Sequence, residues 1–167
     1  MRLPELDTVS FDAELPLALA PHSHYNAKLA RETRLALRIL AAPTEQRSDA
    51  DPQLQRLEAK LDLALEVALL SRHPDSAPLH PCRLGLNSLA WHSEQDQSPG
   101  ANLLLQLSPH ADSALTLFLP ATVLACQSEG PQGYTITASI EDALSDNTRP
   151  LWEKWIFRRH REQISRR

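Results

Sequence analysis

The sequence predicts an α+β protein in which an antiparallel β-barrel of five or six short strands carries an N-terminal helical hairpin and a C-terminal helix. One observation is a run of apolar side chains at helical spacing over residues 51–71. A second is a series of short segments with strand-like alternation from residue 82 onward, separated by turn residues. The third is the final segment, which begins at Pro150 and contains two of the three tryptophans. The 167 residues suffice for one domain with an appended element.

The chain begins with a weakly alternating segment over residues 1–20, which Pro4 and Pro16 interrupt. Because proline lacks the amide that a sheet ladder needs, we expect an extended arm, or an edge strand at most. A first helix is predicted over residues 25–42 and ends before a proline. Only a short polar segment, residues 44–51, separates it from the next helix, so the two should form an antiparallel hairpin.

The second helix, residues 51–71, is rich in leucine. Asp51 can cap its first amides, and Pro52 suits its first position. A helix that is apolar on nearly every face must be covered on more than one side. We therefore expect it to pack on its own domain with one face and on copies of itself with another, through Leu54, Leu57, Leu61, Ala64, Leu65, Ala68 and Leu69. Two heptads leave an alternative open, in which the helix is buried within a single domain.

The second half of the sequence has the pattern of an antiparallel sheet. A Pro-rich linker, residues 73–81, cannot be helical. Strands are predicted over residues 82–86, 89–92, 102–107, 114–126 and 134–140, with no helices between them, which indicates a barrel. The last element, residues 150–167, is a helix whose tryptophans mark where it docks. We expect an arm and a hairpin for oligomerisation over residues 1–72, and the barrel with its C-terminal helix over residues 73–167.

The net charge of −4 is unevenly distributed. Residues 149–167 hold seven Lys and Arg against two Glu, a net charge of +5, so the remainder carries −9. Such a basic end can contact phosphate or an acidic partner, but its usual meaning is a solvated helix end, and no nucleic acid is expected as a partner. No signal segment and no run of 18 apolar residues occur, so we expect a cytoplasmic protein that does not insert into a membrane.

Residue types that could carry chemistry are scattered along the chain. The seven His show no spacing typical of a metal site, and no phosphate-binding or nucleophile motif is present. Glu58, Asp62 and Glu66 lie four residues apart on the second helix, where we expect a solvated stripe rather than an acid–base pair. Cys82 and Cys126 lack CxxC spacing and are expected to be buried thiols. The sequence therefore favours a binding or scaffolding protein, without a metal, over an enzyme.

Two short stretches carry a resemblance to a known family: LEAKLDL at residues 57–63 and SLAW at residues 88–91. They lie in an order that starts with the apolar helix, continues through the Pro-rich linker and short strands, and closes with RPLWEKWIFRRHREQ. Over about residues 10–165 the chain resembles the PilZ domain family. It is most similar to the atypical branch, in which a long heptad helix precedes the barrel and forms tetramers. The resemblance implies a homo-oligomer, a tetramer, and a role in cyclic di-GMP-linked bacterial signalling.

Standard PilZ domains bind cyclic di-GMP through an RxxxR segment and a [DN]xSxxG segment. Two arginines chelate the phosphates, the acid or amide and the Ser orient the base, and the Gly lets the backbone approach. Aligned on SLAW, this sequence has Arg83 at the acid or amide position, Gly85 at the Ser position and Ser88 at the Gly position. Residues 71–82 hold only Arg72 and no RxxxR. The resemblance thus implies an eroded dinucleotide site.

Two hypotheses follow. The leading one is a noncatalytic adaptor that self-associates through residues 51–71, acts through protein partners and has no cofactor. The alternative is a working cyclic di-GMP receptor with a degenerate site, for which the candidates are Arg83, Gly85, Asn87, Ser88, Arg158, Arg159 and Arg161. One literal RxxxR, from Arg34 to Arg38, falls in the first helix, where we expect a basic stripe.

Overall fold

The structure is a computed structural model that describes residues 3–6, 8–43, 51–75 and 77–166. Within these ranges the strands are β1 (Ser10–Pro21), β2 (Leu79–Gly85), β3 (Ser88–Ser93), β4 (Asn102–Leu107), β5 (Leu117–Ser128) and β6 (Tyr134–Ser139). The helices are α1 (Ala27–Ala41), α2 (Pro52–Arg72) and α3 (Arg149–Ser165), with short 3₁₀ helices at His22–His24, Gly130–Gln132 and Glu141–Ala143. Each predicted helix is present, and the polar connection at residues 44–50 lies outside the described residues.

The described strands form a closed antiparallel barrel in the order β1-β2-β3-β6-β5-β4. The predicted α+β class with an antiparallel barrel is therefore confirmed. Within the described residues, however, α1 packs mainly on α3 and β5 rather than along α2, so the two helices do not form the predicted packed hairpin. The core of the barrel is built from apolar side chains that alternate along the strands, among them Leu84, Leu89, Trp91, Leu105, Leu119 and Ile136, which are all at most 2% exposed.

Strand β1 closes the barrel. Residues Ser10–Pro16 pair with β2, and residues Leu17–Pro21 pair with β4. The expectation of an arm, or an edge strand at most, is wrong, because Pro16 lies where β1 changes neighbours and its missing amide interrupts little of either ladder. The division into residues 1–72 and 73–167 is corrected for the same reason, since β1 belongs to the barrel.

The helices α1 and α3 pack against each other and on the barrel, α1 over β5 and α3 over β1. Trp152 and Trp155 anchor α3, with their buried rings 5.3 Å apart. The indole of Trp152 donates a hydrogen bond of 3.1 Å to the carbonyl of Gly85. Phe11 on β1 meets the ring of Trp155 edge to face at 5.6 Å. The tryptophans of the last segment thus mark its docking site, as predicted.

The helix α2 is fixed at both of its ends. Asp51 accepts a hydrogen bond of 2.9 Å from an amide of the first turn, and Pro52 occupies the first helical position, as predicted. At the other end, Arg72 and His73 contact the carboxylate of Glu32 on α1 at 2.8 and 2.7 Å. Because Glu32 is 9% exposed, these contacts join the C-terminal end of α2 firmly to the body of the protein.

Candidate functional site

Arg83, the first candidate of the degenerate motif, is engaged within its own chain. Its side chain is 12% exposed on β2. Its Nε and Nη2 donate hydrogen bonds to the two carboxylate oxygens of Asp12, at 2.6 and 2.9 Å, and its Nη1 donates to the carbonyls of Leu3 and Pro4. The hydrogen bonding of its guanidinium to the Asp12 carboxylate is the main cause that raises the pKa of Arg83. The bidentate face that would chelate a phosphate is therefore already occupied.

The N-terminal segment, residues 3–6 and 8, covers Gly85. A Cβ atom added to Gly85 would lie 2.9 Å from Leu6 Cδ1 and 2.9 Å from Thr8 Oγ1. Thr8 also accepts a hydrogen bond of 3.1 Å from the amide of Leu86. The face on which the resemblance places the dinucleotide is thus filled by side chains of the same chain.

Asn87 and Ser88 connect elements of the fold. The amide oxygen of Asn87 accepts a hydrogen bond of 3.1 Å from Nη1 of Arg149, the first residue of α3. Nη2 of Arg149 donates to the carbonyl of Glu141 at 3.3 Å. Ser88 lies opposite Ser139 in the ladder between β3 and β6. These contacts tie the turn between β2 and β3 to the start of α3, a role of Arg149 that sequence patterns did not indicate.

Arg158 caps the end of α1. Its guanidinium donates hydrogen bonds to the carbonyls of Leu40 and Ala42, the latter at 2.8 Å. The last carbonyls of a helix lack partners within the helix and carry partial negative charge, so a cation is favourable there. Arg158 therefore joins α3 to α1, and its charge is used for that contact.

The other two C-terminal arginines do not converge on Arg83 either. Arg159 pairs with Glu162 at 3.1 Å and lies over the ring of Phe11, 5.5 Å from its centroid. Arg161 is exposed to solvent. A cavity of about 280 Å³ beside Arg83 is lined by none of the three C-terminal arginines. The structure thus disperses the predicted ligand residues.

The predicted assembly face of α2, which we name the heptad face, is uncovered in the single chain. It consists of Leu54, Leu57, Leu61, Ala64, Leu65 and Ala68, which are all exposed, the four leucines by 40–60%. A contiguous apolar surface of this kind marks an interaction site. Leu69 is the exception, because it is 8% exposed and lies in the core of its own chain. Its assignment to an interface between copies is therefore wrong.

A second apolar stripe of α2 lies outside the predicted interface. Leu63, Val67 and Leu70 follow one another at intervals of four and three residues, so they share one side of the helix, which differs from the heptad face and borders it at Val67. They are 48–65% exposed. The helix is thus uncovered on two sides, which rules out the alternative in which it is buried within a single domain.

Glu66 departs from the predicted solvated stripe. Its carboxylate accepts hydrogen bonds from Ser113 Oγ at 2.8 Å and from the amide of Ala114 at 2.5 Å. The side chain is half-buried and fastens α2 to the connection between β4 and β5, whereas Glu58 and Asp62 are exposed as predicted. Sequence patterns carry no signal for this contact, because its partners lie 47 and 48 residues away.

Comparison with known proteins decides the family. The sequence matches the family described as "Atypical PilZ domain, cyclic di-GMP receptor" over residues 37–167. The chain belongs to this family. The resemblance found in LEAKLDL and SLAW is thereby confirmed, including the atypical branch. A comparison with curated protein sequences finds no match.

The structure of this PilZ domain is similar to that of a pathogenic protein from Xanthomonas campestris. That protein is described as a new tetrameric PilZ domain self-assembled via an unusual helical bundle. The TM-score is 0.74 at 27% sequence identity, and the match covers 96% of this chain and 90% of the other. The similarity therefore includes α2 as well as the barrel.

The remaining reactive side chains of the PilZ domain are dispersed. Cys82 and Cys126 are free thiols, the first buried and the second half-buried. Burial raises the pKa of Cys82 to about 12, so the thiol stays protonated. Across the described ranges, no three His, Cys, Asp or Glu side chains come together as metal ligands would. A search of the same residues finds no helix whose length and apolar character would let it span a bilayer.

Proposed function

We propose that this atypical PilZ domain is a noncatalytic adaptor in cyclic di-GMP-linked signalling, which self-associates through α2 and acts in the cytoplasm through protein partners. The observation that carries the proposal is the exposed heptad face of α2. The family match supports the signalling context. The relative from Xanthomonas, a tetramer that assembles via a helical bundle, supports self-association.

The exposed leucines of the heptad face provide the free energy for assembly. Full burial of a leucine stabilises by about 1.5–3 kcal/mol relative to exposure in water. Leu54, Leu57, Leu61 and Leu65 are about half exposed. Covering all four would therefore contribute about 3–6 kcal/mol per chain before the entropic cost of association. This gain is available only if other chains bring matching apolar faces.

The width of the apolar surface favours more than two copies. In the heptad that places Leu54 and Leu61 at position a, Leu57 falls at position d, and Leu65 and Val67 fall at the flanking positions e and g. A two-helix seam covers mainly a and d, so it would leave Leu65 and Val67 in water. A four-helix bundle covers the flanking positions as well. The pattern thus supports a tetramer.

The degenerate motif supports an adaptor rather than a receptor that uses this motif. Arg83 would have to break its bonds with Asp12 before it could bind a phosphate. Gly85 is covered by Leu6 and Thr8, which a ligand would have to displace. Both changes cost free energy that a preformed site does not need, so no nucleotide is expected on this face.

Light scattering of the purified chain tests the proposal. The variant L57E/L61E places charges on the heptad face and should have the mass of a single chain, with the tryptophan fluorescence of the folded barrel. The control Q55E/A59E adds two charges at the same four-residue spacing outside that face, and it should keep the mass of the assembly. An unchanged mass of L57E/L61E would refute self-association through α2.

A further inference from the structure

An open cavity of about 380 Å³ lies between the first half of α1 and the segment that leads into α3. It contains two guanidinium groups, a phenol ring, a carboxylate and two hydroxyls, from Arg31, Arg34, Tyr25, Asp142, Ser145 and Thr148. The cavity is separate from the degenerate motif, since it shares no lining residue with the cavity beside Arg83. Its volume is at the lower end of the range typical of small-ligand sites and suits one nucleotide unit.

Arg31 and Arg34 supply the two positive charges of this cavity, and both side chains are exposed to solvent. Within the described residues, neither Arg31 nor Arg34 makes a hydrogen bond or an ion pair, and Asp142 pairs with neither of them. By contrast, the guanidinium groups of Arg72, Arg83, Arg149, Arg158 and Arg159 are each bound to partners in the chain. Residues three apart on a helix face the same side, so Arg31 and Arg34 present two adjacent positive charges to one anion.

The wall that carries these arginines is fixed in place. Asn26 caps α1 by accepting hydrogen bonds from the amides of Lys28 and Leu29, at 3.0 and 3.1 Å. The buried hydroxyl of Thr33 donates to the carbonyl of Phe118 at 3.2 Å and accepts from the amide of the same residue at 2.9 Å. These contacts fix the start and the rotation of α1 against β5. The backbone positions of Arg31 and Arg34 along the cavity are therefore set before a ligand binds.

The remaining lining groups suit a purine ring. Tyr25 is half-buried and offers an aromatic face, and burial raises the pKa of its hydroxyl, which therefore stays neutral. The carboxylate of Asp142 accepts hydrogen bonds from N–H groups, which a guanine presents on one edge. The Ser145 and Thr148 hydroxyls are hydrogen-bonded to each other at 3.1 Å, and Thr148 donates to the carbonyl of Ser145, so the pair offers acceptor oxygens to a sugar hydroxyl.

We infer that this cavity binds a purine nucleotide, with Arg31 and Arg34 on the phosphate, Tyr25 stacked on the base and Asp142 on the base edge. These chemical groups are of the same types as those that standard family members use, but they lie on another surface of the protein. The inference goes beyond the proposed adaptor function and does not depend on self-association.

Calorimetry with the full chain tests this inference, with GMP, cyclic di-GMP and inorganic phosphate as separate probes. We expect a nucleotide to bind more tightly than inorganic phosphate, and R31A/R34A to weaken that binding at least about 100-fold. The matched control K28A/R38A removes two positive charges from exposed positions of the same helix that do not line the cavity, and it should bind as the parent chain does. Y25F should keep the affinity, whereas Y25A should reduce it.

Three results would overturn the inference. The first is that neither nucleotide gives a heat of binding, and the second is that R31A/R34A and K28A/R38A lose the same affinity for the nucleotide. The third is that inorganic phosphate binds as tightly as the nucleotides. Circular dichroism of each variant shows whether a loss comes from unfolding. Binding that persists in L57E/L61E separates this site from assembly, so a failure of one proposal leaves the other standing.

Discussion

The carboxylate of Asp12 on β1 holds the guanidinium of Arg83 on β2 by two hydrogen bonds, of 2.6 and 2.9 Å, directly across the ladder. The pair explains how this chain carries a cation where the family motif has an acid or an amide. An acid from the neighbouring strand neutralises the cation, and the carbonyls of Leu3 and Pro4 fill its remaining face. Arg83 thus makes a structural contact within the barrel at the position that the motif alignment assigned to ligand binding.

Replacing Asp12 by Ala should destabilise the barrel. Arg83 is 12% exposed and would lose its charge partner, so we expect the free energy of unfolding to fall by about 1–3 kcal/mol. Urea unfolding followed by tryptophan fluorescence measures the change. The control E14A removes an exposed acid from the same strand and should shift stability by less than about 0.5 kcal/mol. Equal losses in both variants would show that Asp12 and Arg83 are not paired in solution.

Adding a methyl group at Gly85 should displace the N-terminal segment. The new Cβ would lie 2.9 Å from Leu6 Cδ1, so we expect G85A to lose about 1–3 kcal/mol and to be cleaved faster by protease within residues 1–9. The double variant L6A/G85A removes one of the two clashing side-chain atoms and leaves Thr8 Oγ1, so its loss should be smaller than the sum of the two single losses. Strict additivity would mean that Leu6 does not cover Gly85.

The sequence was a good guide where local chemistry decides the structure. Asp51 and Pro52 fixed the start of α2, and alternation located β2 to β6 to within a few residues. It failed at β1, because Pro4 and Pro16 are typical of segments outside a sheet. Whether a proline is tolerated depends on which strand lies beside it, and this is a property of the folded barrel.

The same distinction separates the two candidate sites. The heptad face was predictable because a stripe too apolar for its own chain to cover is visible in the periodicity of α2 alone. The fate of the ligand candidates could not be predicted, because whether a side chain is available to a ligand depends on partners that are distant in the sequence. Asn87 meets Arg149 across 62 residues, and Arg158 meets Leu40 across 118. A motif alignment identifies residue types and does not show which of their hydrogen-bonding groups are free.

The buried thiol of Cys82 should make stability depend on alkaline pH. Its pKa rises from 9.0 to about 12 on folding, so above pH 9 the unfolded chain releases a proton that the folded chain retains. The stabilising contribution is complete well below pH 9 and declines as pH rises toward 12, by about 1.4 kcal/mol between pH 8 and pH 10. Urea unfolding at the two pH values measures it. The decline should be smaller in C82A and unchanged in C126A. Equal declines in the parent chain, C82A and C126A would show that Cys82 does not cause the pH dependence.

Replacing Glu66 by Ala should loosen the attachment of α2 to the barrel. The variant leaves the amide of Ala114 and the hydroxyl of Ser113 without their acceptor, so we expect a loss of about 1.5–3 kcal/mol. Hydrogen exchange at the Ala114 amide should become faster, because this amide is released even when the barrel stays folded.

The matched control is E58A, which removes an exposed acid from the same helix. It should leave both the stability and the exchange of Ala114 unchanged. E66Q keeps one acceptor oxygen and should lie between the parent chain and E66A. Because Glu66 and Glu32 both fix the direction in which α2 leaves the barrel, loss of the first contact should also weaken assembly without any change to the heptad face. An Ala114 amide that stays protected in E66A would show that Glu66 does not fasten α2 to this connection.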